Sequence, residues 1–262
     1  MTAQQLTEQK AASKEIREFT IAVKRSSASS NEFEVQEFRV KADRFTTVLD
    51  ALLTIKAWQD NTLSIRYSCR MGICGSCAMV INNKPRLACE TNIFSLGSER
   101  IEVGPMEAHP ILKDLVTDFE EFFRKHRSVK PWLIRDDVEE KFRAEKEYTQ
   151  TRRQLDYYLP FSYCIKCGLC VDACPISNTN PLYLGPQALA QAYRYNNDSR
   201  DQGEKERLEI VDDMNGVWGC EFAGACSLVC PKGVDPALAI QLLKLDVMKY
   251  RITGKLNVKK EF

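Results

Sequence analysis

The sequence predicts an α+β protein in which a β-rich first part is followed by a helical second part. Three observations support this prediction. Near the N-terminus apolar residues alternate with polar ones, as at Phe19, Ile21 and Val23, which is the period of a half-buried strand. Beyond residue 110 the apolar residues recur at helical spacing instead. The cysteines form one group in the first part and a repeated run in the second.

The elements of the first part can be taken in order. Residues 1–17 are polar, and we expect a mobile tail. A hairpin follows around the loop SSASSN, with Phe33 and Val35 alternating on its second strand. A helix is predicted to begin near Thr46, because the apolar residues after it recur at helical spacing. Those residues are Val48, Leu49, Leu52 and Ile55. The strands CAMVI and RLAC, joined by an Asn-Asn turn, and the strand IEVGPM complete this part.

The second part is predicted to consist of helices joined by cysteine loops. The first helix is expected from residue 112 onward, and a charged one over residues 137–150. Two more are PQALAQAYRYNN and VDPALAIQLLKLDVMKY. The apolar residues change from strand alternation to helical spacing here, which places the domain boundary after residue 112.

Composition limits the functions to consider. The chain has 262 residues, of which 44% are hydrophobic and 28% charged, as in a globular protein. A net charge of +1 does not indicate a nucleic-acid surface. No apolar run approaches the ~18 residues of a membrane span, and the N-terminus lacks the apolar segment of a secretory signal. Eleven cysteines without an export signal favour metal ligation in a reducing compartment over disulfides.

Four cysteines of the first part have the spacing of a 2Fe–2S site. Cys69, Cys74 and Cys77 follow C-x4-C-x2-C, and Cys89 comes after a gap of eleven residues, as in plant-type ferredoxins. Gly72 lies in this loop, where a glycine allows the backbone to approach a cluster closely. The alternative is a structural zinc site, but such sites usually show two C-x2-C pairs, and this loop has one.

The second part contains a cysteine run twice. CIKCGLCVDACP is complete, whereas CEFAGACSLVCP has Ala223 where its second cysteine would stand. In bacterial-type ferredoxins the fourth cysteine of a run binds the other cluster. That rule predicts a 4Fe–4S cluster held by four thiolates: Cys164, Cys167, Cys170 and Cys230. The remaining set has only three ligands and therefore predicts a 3Fe–4S cluster: Cys174, Cys220 and Cys226.

This partition uses all eleven cysteines. Zinc explains neither the repeated run nor the proline that follows the last cysteine of each copy. The sequence has no G-x-G-x-x-G and no P-loop, and its two histidines, His109 and His126, form no hydrolytic constellation. No catalytic residue is therefore predicted, and three redox centres without a substrate site indicate an electron conduit.

These motifs resemble those of the iron–sulfur subunit of the succinate dehydrogenase/fumarate reductase family, respiratory complex II. The similar stretches are YSCRMGICGSCAMVINNKPRLAC, CIKCGLCVDACP and GVWGCEFAGACSLVCPKGVDP. The resemblance implies a plant-type (β-grasp) 2Fe–2S ferredoxin domain over residues 18–112 and an all-α bacterial-type ferredoxin domain over residues 113–262. The stretch NPLYLGPQALAQAYRYNNDSRD is especially similar to bacterial fumarate reductases and other menaquinone-linked members.

The resemblance also implies a function and partners. In this family an FAD flavoprotein subunit interconverts succinate and fumarate. Electrons pass through 2Fe–2S, 4Fe–4S and 3Fe–4S centres to a quinone at one or more membrane-anchor subunits, with or without haem. The chain is therefore expected to be the electron-transfer subunit of a succinate:quinone oxidoreductase. We expect it to lie peripherally on the cytoplasmic side of a prokaryotic inner membrane.

Four residues match family positions near the quinone: Pro175, Trp218, Glu221 and Lys244. Some ubiquinone-using members have a tryptophan shortly after the Cys-Pro, and many have a histidine directly after the first cysteine of the second run. Here residues 176–179 contain no tryptophan, and Glu221 replaces the histidine, so menaquinone is favoured. Lys244 could equally be a solvated residue on its helix. Trp218 is expected to pack against the 3Fe–4S loop rather than to contact the quinone.

Two other functions remain open. The chain could serve a different flavoenzyme, of heterodisulfide reductase-like or glycolate type, although Ala223 and the fused plant-type domain argue against this. It could also be a zinc scaffold without redox activity, which would contain neither iron nor acid-labile sulfide.

Overall fold

The computed structural model describes residues 15–27, 30–137, 139, 142–143 and 147–256. Its contacts divide the chain into two compact units between Asp118 and Phe119. The predicted N-terminal tail lies outside the described residues up to residue 14, and the helix predicted over residues 137–150 lies partly outside them.

The first unit is built on a five-stranded sheet with the order β2-β1-β5-β3-β4. The strands are β1 Arg17–Ser27, β2 Ser30–Ala42, β3 Ala78–Ile81, β4 Lys84–Leu87 and β5 Arg100–Gly104. β1 and β5 are parallel, whereas the other neighbours are antiparallel. One helix, α1 (Val48–Trp58), lies between the two hairpins along the chain, and a short 3₁₀ helix spans Phe94–Leu96. This arrangement confirms the predicted β-grasp architecture.

The first hairpin has the predicted strands, but Phe33 and Val35 do not belong to the core. Ile21 pairs with Phe38 in this register, and both side chains are buried. Because residues alternate between the faces of a strand, the even-numbered residues of β2 point inward with Phe38. Phe33 and Val35 therefore lie on the outer face, where they are 42% and 53% exposed.

The predicted helix after Thr46 is confirmed as α1. Thr47 and Asp50 form a capping box, in which each side chain accepts a hydrogen bond from the other residue's backbone amide. The apolar face of the helix is fully buried. In the second hairpin, the turn residues Asn82 and Asn83 have φ values of 46° and 59°, as a two-residue turn between twisted strands requires.

The helix predicted from residue 112 is wrong in its first part. Residues 111–117 form a small hairpin, β6 (Ile111–Lys113) and β7 (Val116–Thr117). Its turn is fixed by Asp114, which is buried and accepts hydrogen bonds from Arg25 Nε at 2.9 Å and from the Ser64 amide at 2.8 Å. This buried ionic contact overrides the local apolar spacing, and the domain boundary predicted after residue 112 falls inside the hairpin.

The second unit is helical throughout the residues that the structure describes, as predicted. Its helices are α2 Glu120–Ser128, α3 Arg152–Asp156, α4 Leu159–Ser162, α5 Leu169–Asp172, α6 Pro175–Thr179, α7 Pro186–Asn196, α8 Glu204–Val211, α9 Ala225–Leu228 and α10 Pro236–Thr253. A 3₁₀ helix spans Val217–Gly219. The two long helices predicted after the cysteine runs are confirmed as α7 and α10, which pack against each other in the core. Within the described ranges, no helix has the length and apolarity to cross a bilayer.

A buried ion pair connects the segment after α2 to this helical core. Arg207 and Asp201 are both fully buried, and their two contacts measure 2.7 and 2.9 Å. Arg207 also donates to the carbonyl oxygens of Lys130 and Trp132, and Asp201 accepts from the amide of Ile134. Since every charge is paired, the network holds residues 130–134 against α8 without leaving a buried ion uncompensated.

Candidate metal centres

The four cysteines of the first unit lie together in the loop between α1 and β3 and just after β4. Each sulfur accepts at least one backbone N–H hydrogen bond, with N–S distances of 3.3 to 3.5 Å. The amides of Ile73 and Cys74 both point at Cys69 Sγ, and the amide of Gly72 points at Cys89 Sγ. Amides directed at sulfur stabilise a metal-bound thiolate, so this loop fits an anionic cluster.

The loop needs glycine at position 72. Gly72 has a φ of +69°, and a Cβ atom added there would lie 1.9 Å from the Glu90 carboxylate. Two neighbours, Arg70 and Gly75, are also left-handed, with φ values of 59° and 74°. These three left-handed residues turn the backbone around the sulfurs, and its N–H groups point inward.

The four thiols of this loop need a nearby positive charge to be ionised together. Burial raises the pKa of the Cys77 thiol to about 12. At Cys74 burial also raises the pKa, but hydrogen bonds with Ser76 and Cys69 prevail and lower it to about 6. Four thiolates so close together, one of them buried, need a positive core to remain ionised, and iron supplies it.

The two cysteine loops of the second unit share one backbone conformation. In the first loop Lys166 and Gly168 have φ values of 57° and 84°, and in the second Phe222 and Gly224 have values of 58° and 75°. Each glycine is followed by a four-residue helix, α5 or α9. The sequence repeat is therefore a structural repeat, and Ala223 occupies the place that Cys167 takes in the first loop.

The structure brings the cysteines of the two runs into two mixed groups. Cys230 lies within electrostatic range of Cys164, Cys167 and Cys170, in the first run rather than its own, and Cys226 also lies within range of Cys170. The other group consists of Cys174, Cys220 and Cys226. Burial raises the pKa of four of these thiols: those of Cys164 and Cys170, and, to about 11, those of Cys167 and Cys226. They are therefore poor anions until a metal compensates their charge.

A cavity lies beside the three-cysteine group, and Ala223 lines it. Its walls are mostly apolar, and one side is formed by the second cysteine loop. The lining residues are Cys174, Pro175, Ile176, Tyr183, Pro186, Cys220, Glu221, Phe222, Ala223, Gly224, Ala225, Cys226, Ala237 and Ile240. A side chain at position 223 therefore faces the same space as the three sulfurs.

The four residues matched to the quinone pocket have different surroundings. Pro175 and Glu221 line the cavity. Lys244 is held in place, because its Nζ donates to the Cys220 carbonyl oxygen at 2.8 Å. Two contacts hold the Trp218 side chain: its Nε1 donates to Asp212 at 2.7 Å, and a guanidinium group lies over its ring.

Sequence reasoning missed three polar side chains that lie beside the sulfurs. Tyr183 and Gln241 contact Cys220, and Gln187 contacts Cys164. None of them lies in a cysteine motif, and only the packing of α7 and α10 brings them to the sulfurs. Among the described residues, no three His, Cys, Asp or Glu side chains have the spacing of a single-ion site.

Two family models match the chain. One, a 2Fe-2S iron-sulfur cluster binding domain, matches residues 20–124, and the other, a 4Fe-4S dicluster domain, matches residues 160–234. Together with the fold and the cysteine loops, they define an iron–sulfur protein made of two ferredoxin-type domains.

Relatives identify the family more closely. The fumarate reductase iron-sulfur subunit of Mycobacterium tuberculosis is 48% identical over 83% of this chain and 87% of its own length. That of Haemophilus influenzae is 44% identical, over 85% of this chain and 90% of its own length. The chain belongs to the family of iron–sulfur subunits of fumarate reductase and succinate dehydrogenase, which confirms the resemblance seen in its motifs.

Two further comparisons agree. A mitochondrial succinate dehydrogenase iron-sulfur subunit of Oryza sativa is 42% identical over 75% of this chain and 69% of its own length. A chain in the structure titled Mycobacterium smegmatis Sdh1 complex in the apo form has the same fold. Its TM-score is 0.81 at 24% identity, and the match covers 93% of this chain and all of that one.

Proposed function

We propose that this chain relays electrons between an FAD-containing flavoprotein subunit and a membrane quinone. The observation that carries the proposal is the grouping of all eleven cysteines into three sets, in loops whose amides and buried surroundings suit anionic clusters. Bound iron–sulfur clusters supply one-electron redox centres. The chain itself spaces the thiolates, excludes water from the buried ones and directs N–H groups at sulfur.

The proposed ligand sets follow the two mixed groups. Four thiolates of the first unit hold a 2Fe–2S cluster, and the group containing Cys230 holds a 4Fe–4S cluster. The group at the cavity has only three thiolates, because its fourth position is Ala223. A cube without a fourth protein ligand loses the iron at that corner, so we assign a 3Fe–4S cluster to Cys174, Cys220 and Cys226.

The cavity beside the three-cysteine group is the proposed route to the quinone. Pro175 and Glu221 line it, and Lys244 donates to the carbonyl oxygen of Cys220, another lining residue. The glutamate in place of a family histidine supports menaquinone as the partner. Membrane association and the place on the cytoplasmic side would come through an anchor subunit, and the dicarboxylate chemistry would belong to the flavoprotein.

Purification of the native complex tests this proposal. We expect a flavoprotein and a membrane-anchor subunit to co-purify, with iron, acid-labile sulfide and three distinct EPR signals in this chain. Zinc at the cysteines, with no acid-labile sulfide, would establish the scaffold alternative. Co-purification with a flavoprotein that does not act on succinate or fumarate would establish the other redox alternative.

A further inference from the structure

Polar side chains lie beside the first cysteine of each run. Gln241 on α10 places its Nε2 atom 3.8 Å from Cys220 Sγ, which is hydrogen-bonding distance for the large sulfur atom. The Tyr183 side chain lies close to the same cysteine, and both residues line the cavity. Gln187 on α7 lies close to Cys164, the corresponding cysteine of the first run. We call these three residues the sulfur donors.

The surrounding protein fixes two of the donors firmly. Tyr183 is 1% exposed, and its ring is packed so closely against Gly219 that a Cβ atom there would lie 3.0 Å from it. Gln187 is 2% exposed, and its Nε2 atom lies 3.1 Å from His126 Nδ1. An amide nitrogen has two hydrogens. One can therefore bind the unprotonated ring nitrogen of His126, and the other is left for Cys164.

Burial keeps His126 in the form that this arrangement requires. The ring is buried, and burial together with the nearby cations lowers its pKa to about 4. The imidazole is therefore neutral at physiological pH, and its Nδ1 can accept a hydrogen bond. His126 thus acts as a positioning residue that orients the Gln187 amide.

Donors to a metal-bound sulfur favour the reduced cluster. Reduction adds negative charge to the iron–sulfide core and its thiolates, and a fixed N–H or O–H dipole stabilises that charge. In a buried site the effect is stronger than in water because the local dielectric is low. Removing a donor without changing the packing should therefore lower the midpoint potential of the cluster at that sulfur.

We propose that the sulfur donors set the potentials of the two clusters of the helical unit separately, with Gln187 raising that of the cluster at Cys164 and Tyr183 and Gln241 raising that of the cluster at Cys220. This inference rests on the proposed function and on its ligand sets. It adds the side chains by which this chain adjusts the last two steps of the relay.

The test uses the native complex and redox titration followed by EPR. Tyr183→Phe and Gln241→Met remove the donors to Cys220, and Gln187→Met removes the donor to Cys164. Gln191→Met is the matched control, because Gln191 is a buried glutamine on the same helix as Gln187 but donates to the Phe161 carbonyl oxygen at 3.0 Å.

Each donor variant should lower the potential of its own cluster and leave the other unchanged. One lost hydrogen bond corresponds to a change of roughly threefold to tenfold in the reduction equilibrium, or about 30 to 60 mV for a one-electron centre. Gln191→Met should shift neither potential. Full EPR signals with unshifted potentials in Tyr183→Phe and Gln187→Met would overturn the inference while leaving the proposed function intact.

A second variant separates tuning from assembly at Gln187. Gln187→Asn draws the amide back by one methylene but keeps the site polar, so it should lower the 4Fe–4S potential as Gln187→Met does. Loss of the 4Fe–4S signal in both variants, with the 3Fe–4S signal retained, would show that Gln187 serves assembly and would overturn its tuning role. Absence of iron–sulfur signals in the unsubstituted complex would instead overturn the proposed function.

Discussion

Replacing Ala223 by cysteine should convert the three-iron centre into a four-iron cube. The backbone around position 223 already has the conformation of a ligand loop. The residues that precede the two equivalent positions, Lys166 and Phe222, differ in φ by one degree, 57° against 58°. The glycines that follow, Gly168 and Gly224, have φ values of 84° and 75°. The new thiol should therefore reach the cavity as Cys167 reaches its own cluster.

The conversion can be measured as a change in the iron content of the chain. With one 2Fe–2S, one 4Fe–4S and one 3Fe–4S cluster, the chain holds about nine irons and about ten inorganic sulfides. The Ala223→Cys variant should hold about ten irons with unchanged sulfide. The potential of the converted centre should also fall, because a further thiolate adds negative charge beside the core.

Metal analysis and EPR of the oxidised complex are the assays. The signal of the oxidised 3Fe–4S centre should disappear from Ala223→Cys, because an oxidised four-iron cube is diamagnetic in its usual state. Ala223→Ser is the matched control, since it has similar size without a soft thiolate, and it should keep the signal. An undiminished signal and unchanged iron content in the cysteine variant would refute the assignment of position 223 as the missing ligand.

Three other predictions concern the two units separately. Cys89→Ser should perturb the 2Fe–2S EPR signal alone, and loss of all three signals in a folded variant would contradict the two-domain division. Asp201→Asn leaves the buried Arg207 charge unpaired and should lower the free energy of unfolding by ~3–5 kcal/mol in guanidinium titration. The same change at Asp156, whose ion pair is exposed, should cost under ~1 kcal/mol, and equal losses would contradict the reasoning. His126, with its pKa lowered to about 4 by burial, favours the neutral form in the folded state. The stabilisation that neutral His126 gives the folded state is complete above the unfolded pKa of about 6.5. As the pH falls from there to about 4, the free energy of unfolding should decrease by ~3 kcal/mol. A His126→Gln variant should lack this loss of stability at low pH. An identical pH dependence of the free energy of unfolding in the variant would contradict the prediction.

The sequence predicted the 2Fe–2S and 4Fe–4S domains, which the family models confirm, because ligand spacing is a local property. C-x4-C-x2-C and the repeated run are read directly from the chain, and the position of Ala223 follows from aligning the two copies. The helix after Thr46 was also predictable, since its capping residues and apolar face lie within one segment.

The features that the sequence did not predict depend on distant contacts. The hairpin at residues 111–117 forms because Asp114 is bound by Arg25 and Ser64, which lie far away in sequence. The outward orientation of Val35 depends on the register with β1. Gln187 lies close to Cys164 because α7 packs against α5, the helix of the first cysteine loop. Local periodicity contains no information about such contacts.

The exchange of cysteines between the two runs has a consequence for biogenesis. Under the proposed ligand sets, the first cube cannot be completed until Cys230 has been translated, and the other centre needs Cys174 from the earlier run. Neither cofactor can therefore be inserted while the ribosome is still making the segment between the runs. Maturation of the helical unit must follow synthesis of both loops, and the delivery machinery has to meet a polypeptide that already contains both runs with their thiols still reduced.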